Sequence, residues 1–84
     1  MSNWKGDLDD DCSLVRYGML AHVEKMDRGV WWFCVANHPW VPGEADLYNT
    51  AENMTHVKLI SGKMARAAAE CCMELLRQRR MVKP

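Results

Sequence analysis

A change of period at Ser61 constrains this chain more than any other feature. Upstream, apolar residues alternate as they do in strands; from Gly62 they recur at helical spacing. The stretch Ser61-Gly62-Lys63-Met64-Ala65-Arg66-Ala67-Ala68-Ala69-Glu70 reads as a helix start with a basic first turn, followed by small residues that permit close packing. Ser61 is a suitable N-cap, its hydroxyl able to accept from an unpaired first-turn N–H. Met64, Ala68, Cys71, Cys72 and Leu75 then form one apolar stripe, broadened by Ala65 and Leu76. Lys63, Arg66, Glu70, Glu74 and Arg77 fall on the wet face, with Arg66 and Glu70 spaced to pair. Arg77, Arg79 and Arg80 suit the negative end of a helix.

The first half has the other period. From Leu14 to Met26, Val15, Tyr17, Met19, Ala21 and Val23 would line one face of a strand, and Arg16, His22 and Glu24 the other, with Gly18 as a bulge or a point of close approach. Met26-Asp27-Arg28-Gly29 supplies the turn into a second strand, Val30 to Ala36. That strand is apolar on both sides: Trp31, Phe33 and Val35 share one, Trp32, Cys34 and Ala36 the other. It is either central and covered twice or carries a patch for a partner. Pro39 and Pro42 place a loop over residues 37–43, with Trp40 either a plug for the core or an exposed anchor. A brief edge strand over 45–49, a turn over 49–54 and a strand over 55–60 complete the reading. Residues 1–12, with four aspartates, read as a flexible acidic lead that only Trp4 and Leu8 can pin down, and 13–84 as a single domain.

The expected fold is therefore α+β: a small antiparallel sheet of three to four strands with one C-terminal helix packed on one face. With 84 residues the core is thin, and four tryptophans must be shared between core and surface. The chain is neutral overall but lopsided. Residues 1–60 hold five Lys or Arg against nine acids, and residues 61–84 hold six against two. An acidic sheet half is thus joined to a basic helix and tail, a charge pattern able to steer a partner.

Several chemistries lack their signatures. Four cysteines and three histidines are present, but none falls into a C-x-x-C or H-x-x-x-H spacing, so no metal site is expected. No nucleophile elbow, phosphate loop or dinucleotide fingerprint occurs, so neither catalysis nor a cofactor is expected. No run approaches the length of a membrane span, and the acidic start is unlike a secretory signal. The expectation is a cytoplasmic protein with reduced thiols.

Two resemblances suggest a partner. The run from Ser61 to Glu70, continuing to Leu75-Leu76, resembles the last helix of double-stranded RNA-binding domains. There, basic residues at a helix N-terminus grip phosphates. Lys63 and Arg66 match two of that family's three basic positions, Gly62 departs at the third, and the family's first helix has no counterpart here. That likeness implies nucleic-acid contact through Lys63 and Arg66, with Arg77, Arg79 and Arg80 as further cations. More broadly, a hairpin over Tyr17 to Ala36 and a helix over Ser61 to Gln78 resemble small phage and mobile-element proteins of the anti-CRISPR type. This second likeness implies a non-enzymatic inhibitor of a host CRISPR effector-type complex. Trp32 and Trp40 would serve as anchors, with Glu24, Asp27, Glu44 and Asp46 imitating phosphates. Trp31 or Trp32 on an exposed sheet face would also suit a homodimer.

Overall fold

The computed structural model of the chain describes residues 3–50 and 61–81. Five strands, β1 (Lys5–Asp7), β2 (Asp11–Arg16), β3 (Met19–Asp27), β4 (Val30–Asn37) and β5 (Tyr48–Asn49), precede the helix α1 (Gly62–Met81). The strands form one sheet in chain order, each antiparallel to the next. The fold is α+β, a C-terminal helix lying on one face of an open antiparallel sheet. The strand expected over 55–60, and most of the turn over 49–54, lie outside the described residues.

Five strands are described where three to four were expected, and the first half of the chain holds four of them where it was expected to hold two. The acidic lead contains a hairpin rather than a flexible arm: Lys5 pairs with Ser13 and Asp7 with Asp11. Its turn is closed by Asp10 N–H donating to the Asp7 carbonyl at 3.1 Å and Asp9 N–H to Asp7 Oδ1 at 2.9 Å. The single strand expected from Leu14 to Met26 is two strands, joined at Tyr17 and Gly18. Both residues have positive φ, 57° and 70°, which is the geometry of a tight two-residue hairpin turn. A two-residue turn reverses the alternation. Cys12, Leu14 and Arg16 therefore share a face with Met19, Ala21 and Val23, while Val15 points the other way and is exposed. Arg16, expected beside His22 and Glu24, lies on the helix side instead.

The second hairpin turn falls where Arg28-Gly29 predicts it, with Gly29 at φ 68° and a bulge between Lys25 and Asp27. Asp27 fixes the turn by accepting the Arg28 N–H at 2.7 Å. Trp31, Phe33 and Val35 of β4 face the helix and are buried, which settles the buried side of the Trp-rich strand. Thr50 closes the outer edge of β4: its hydroxyl accepts the Phe33 N–H at 3.1 Å and donates to the Phe33 carbonyl at 2.9 Å. That pairing occupies an edge that would otherwise invite another strand.

Ser61 caps α1, accepting the Met64 N–H at 3.1 Å. The buried helix face is Gly62, Ala65, Ala69 and Met73, flanked by Ala68, Cys72 and Leu76. Met64, Cys71 and Leu75, expected in the core stripe, are exposed. Small residues explain the rotation. A Cβ on Gly62 would sit 2.9 Å from both the Leu8 carbonyl oxygen and Cη2 of Trp31. The helix therefore lies so close to the sheet that its contact line must be Gly and Ala, with Met73 filling the wider end. The larger apolar residues are displaced to its flank.

Candidate functional site

The sheet face turned away from α1 differs in kind from the buried one. From β2 to β4 it presents Ser13 and Val15, then Leu20, His22 and Glu24, then Trp32 and Cys34, all half-buried or exposed. Trp32 sits directly opposite Glu24 on β3. Its indole N–H donates to Asn49 Oδ1 at 3.0 Å, and Asn49 in turn donates to Asp46 at 3.0 Å. The His22 ring stands edge-on to it at 6.0 Å. The indole is thus tied through Asn49 to Asp46 and lies across from Glu24 in the sheet, so little side-chain freedom remains to be lost when a partner covers it. Neighbouring Cys34 reports the local potential: burial first, then the charges of Asp46 and Glu24, push its thiol up to about 11.

A second feature lies where the N-terminal segment meets the helix. Arg16 Nη1 forms an ion pair with Glu70 Oε1 at 3.0 Å, and Trp4 Nε1 donates to Glu70 Oε2 at 3.3 Å. Arg66 reaches the β1–β2 turn, donating to the Leu8 carbonyl at 2.8 Å. With Lys63 and Ala67 these residues line a cleft of about 360 Å³. Glu70 therefore does not pair with Arg66, as helical spacing suggested; each is drawn to the N-terminal segment instead.

The expected contact residues divide by position. Trp32, Glu24 and Asp46 come together on the far face. Asp27 is at the β3–β4 turn, engaged with Arg28. Trp40 and Glu44 are not on that face: they sit in the loop after β4, whose His38 N–H donates to the Gly18 carbonyl at the other end of the sheet. Trp40 is an exposed residue rather than a core plug, 53% accessible, with Nε1 donating to the Glu44 carbonyl at 3.2 Å. Glu44 accepts from Asn37 at 2.8 Å, and Asn37 also accepts from Arg80.

The basic set is similarly dispersed. Lys63 and Arg66 share the cleft with Arg16, but about 25 Å of helix separates Lys63 from Arg80. Arg77 lies over the Tyr17 ring at 4.8 Å and pairs with Glu74 at 2.9 Å. Arg79 is exposed near the helix end. At Gly62, where the double-stranded RNA-binding pattern has a third basic residue, the contacts with Leu8 and Trp31 leave no room for a side chain. Trp31, one of the two residues considered for a dimer face, is buried beneath the helix.

Arg16, Trp4 and Asn49 were missed as site residues. The Tyr17-Gly18 pair was the available signal for Arg16, because a tight turn there moves it to the helix side. The roles of Trp4 and Asn49 depend on pairings 66 and 17 residues apart in the chain, for which no local pattern exists. Among the described residues no group of three His, Cys, Asp or Glu is placed to hold a metal, and no helix is long and apolar enough to cross a membrane. The chain matches no family model, no curated protein and no solved structure.

Proposed function

We propose that this chain is a non-enzymatic binding protein whose far sheet face docks on a basic, nucleic-acid-handling surface of another protein. The carrying observation is Trp32, held through Asn49 and flanked by Glu24 and Asp46. A pre-oriented tryptophan is the kind of anchor that carries affinity at protein interfaces, and carboxylates beside it give specificity and faster encounter with a cationic partner. Carboxylates grouped on one face can also take the places of nucleic-acid phosphates in a channel lined by Lys and Arg. The resemblance to anti-CRISPR proteins supplies the class of target: a host nucleic-acid-targeting defence complex, blocked by occupation of its binding surface. A second copy of this chain is a weaker occupant, because a two-fold contact over this face would set Glu24 and Asp46 of one copy near those of the other.

The test is biolayer interferometry of purified CRISPR effector complexes against the wild-type chain and three variants, with the oligomeric state followed by analytical ultracentrifugation. Binding lost on Trp32→Ala and on Glu24→Lys with Asp46→Lys, but kept by Lys63→Glu with Arg66→Glu, is the expected pattern. The reverse pattern moves the interaction to the basic helix and rejects the far face. Dimerisation abolished by Trp32→Ala would show that the face serves a second copy instead.

A further inference from the structure

The cleft beneath Trp4 has no part in the far-face reading, and its chemistry is different. Three cationic side chains, Arg16 from β2 and Lys63 and Arg66 from α1, border a space of about 360 Å³ against one carboxylate, Glu70. That volume is at the small end of the range for ligand sites. Glu70 engages Arg16 through one oxygen and the Trp4 indole through the other, so it orients both walls of the cleft without balancing the three positive charges. Arg66 is positioned by a neutral carbonyl, that of Leu8, which leaves its charge uncompensated by that contact. Lys63 is exposed at the mouth. The cleft therefore combines a surplus of charge-assisted donors with an aromatic wall.

The surroundings limit the size of the anion. Leu8, which holds Arg66, belongs to the turn that carries Asp7, Asp9 and Asp10, with Asp11 directly after it. A polyanion extended through the cleft would run against these carboxylates. A single phosphate seated among Arg16, Lys63 and Arg66 would stay on the cationic side. We infer that the Trp4–Arg16–Lys63–Arg66 cleft is a binding site for a small organic phosphate carrying a planar ring, of the nucleoside monophosphate class. The phosphate would accept from the guanidinium and ammonium groups, and the ring would lie against Trp4.

The test is a two-dimensional ¹H–¹⁵N titration of the full chain, following the Trp4 indole N–H, assigned by its loss in Trp4→Phe. The probes are adenosine monophosphate, adenosine, inorganic phosphate and a single-stranded dodecamer. Adenosine monophosphate should give a saturable shift with Kd on the order of 0.1–1 mM. Adenosine should shift the signal little, and inorganic phosphate should bind more weakly than the nucleotide. Lys63→Gln, a change at an exposed side chain, should weaken nucleotide binding by roughly tenfold while leaving the remaining spectrum in place. The inference is overturned by the absence of a saturable Trp4 shift, or by unchanged affinity in Lys63→Gln. Equal affinity for bare phosphate would remove the ring from the ligand class. A dodecamer that binds far more tightly than the nucleotide, with a steep salt dependence, would replace the small ligand by a strand.

Discussion

Phe33 and Trp32 are neighbours on one strand and live in different environments. Phe33 points to the helix, into the buried core that also holds Leu14, Val23, Val35, Ala69 and Met73, and the Tyr48 ring stacks on it at 5.4 Å. Trp32 points away and is held by an amide and faced by carboxylates. On the helix side polar groups are kept to the margin, as with Arg16 and Glu70, which pair there. On the far side they are interleaved with the apolar ones. The difference shows that a large aromatic side chain on each face does not make two cores. Among the described residues, the helix side alone is met by small residues, Ala65 and Ala69, that let a second layer approach.

Truncating each of the two aromatics separates the faces most sharply. Phe33→Ala should cost about 3–5 kcal/mol in urea unfolding, because it opens a cavity beneath the helix. Trp32→Ala removes one hydrogen bond and a half-exposed ring, and should cost no more than about 1–2 kcal/mol. Equal losses for the two variants would mean that the far face is a second core, and the proposed docking surface would fall with the contrast.

Gly62→Ala addresses how closely the helix approaches. In a helix interior alanine would gain up to about 1 kcal/mol over glycine, and the gain is smaller at the first helical position. Against it stands a Cβ placed 2.9 Å from the Leu8 carbonyl oxygen, a backbone atom with little freedom to move, and 2.9 Å from Trp31. Overpacking of this kind costs about 1–3 kcal/mol, so the clash wins and the variant should be destabilised. Each kcal/mol lowers the melting temperature by about 4–8 °C in a domain of this size, which differential scanning calorimetry resolves. A neutral or stabilised variant would mean that the helix can ride further from the sheet than the Gly-Ala line implies.

The same line marks what could be read without a structure. The β3–β4 hairpin and the start of α1 were legible because both are local: Arg28-Gly29 sets one turn and Ser61 caps the other element. Two of the departures, in the β2–β3 hairpin and in α1, are departures of phase. The Tyr17-Gly18 turn keeps apolar residues coming at an interval that a continuous strand also satisfies, and only the reversed parity of Arg16 distinguishes them. In α1 the eye follows Met64 and Leu75, whereas closest approach selects Gly62, Ala65 and Ala69, whose small size carries little weight in a hydrophobic pattern. Site residues fared according to their separation in the chain. Lys63 and Arg66, one helical turn apart, were recognised as a pair. Trp32, Glu24 and Asp46 meet only through cross-strand register and the Asn49 bridge, which no local spacing encodes.

Cys34 gives a finer probe of the far face, through the potential at its thiol. Burial and the charges of Asp46 and Glu24 favour its neutral thiol, raising its pKa from 9.0 to about 11. A folded-state value above the unfolded one contributes stability that is complete below pH 9.0 and is lost as pH rises toward about 11. At pH 8 the thiolate fraction of Cys34 should be about a hundredfold lower than that of an unperturbed thiol, since thiolate is the reacting form. Iodoacetamide followed by peptide mass spectrometry should therefore label exposed Cys71 well before Cys34, and the Cys34 rate should climb about tenfold per pH unit. Glu24→Gln combined with Asp46→Asn should speed the labelling of Cys34 without matching Cys71, because burial, the larger cause, is left in place. If that double neutralisation leaves the rate unchanged, the two carboxylates do not act jointly on the far face. Trp32 would then have to bind its partner on packing alone.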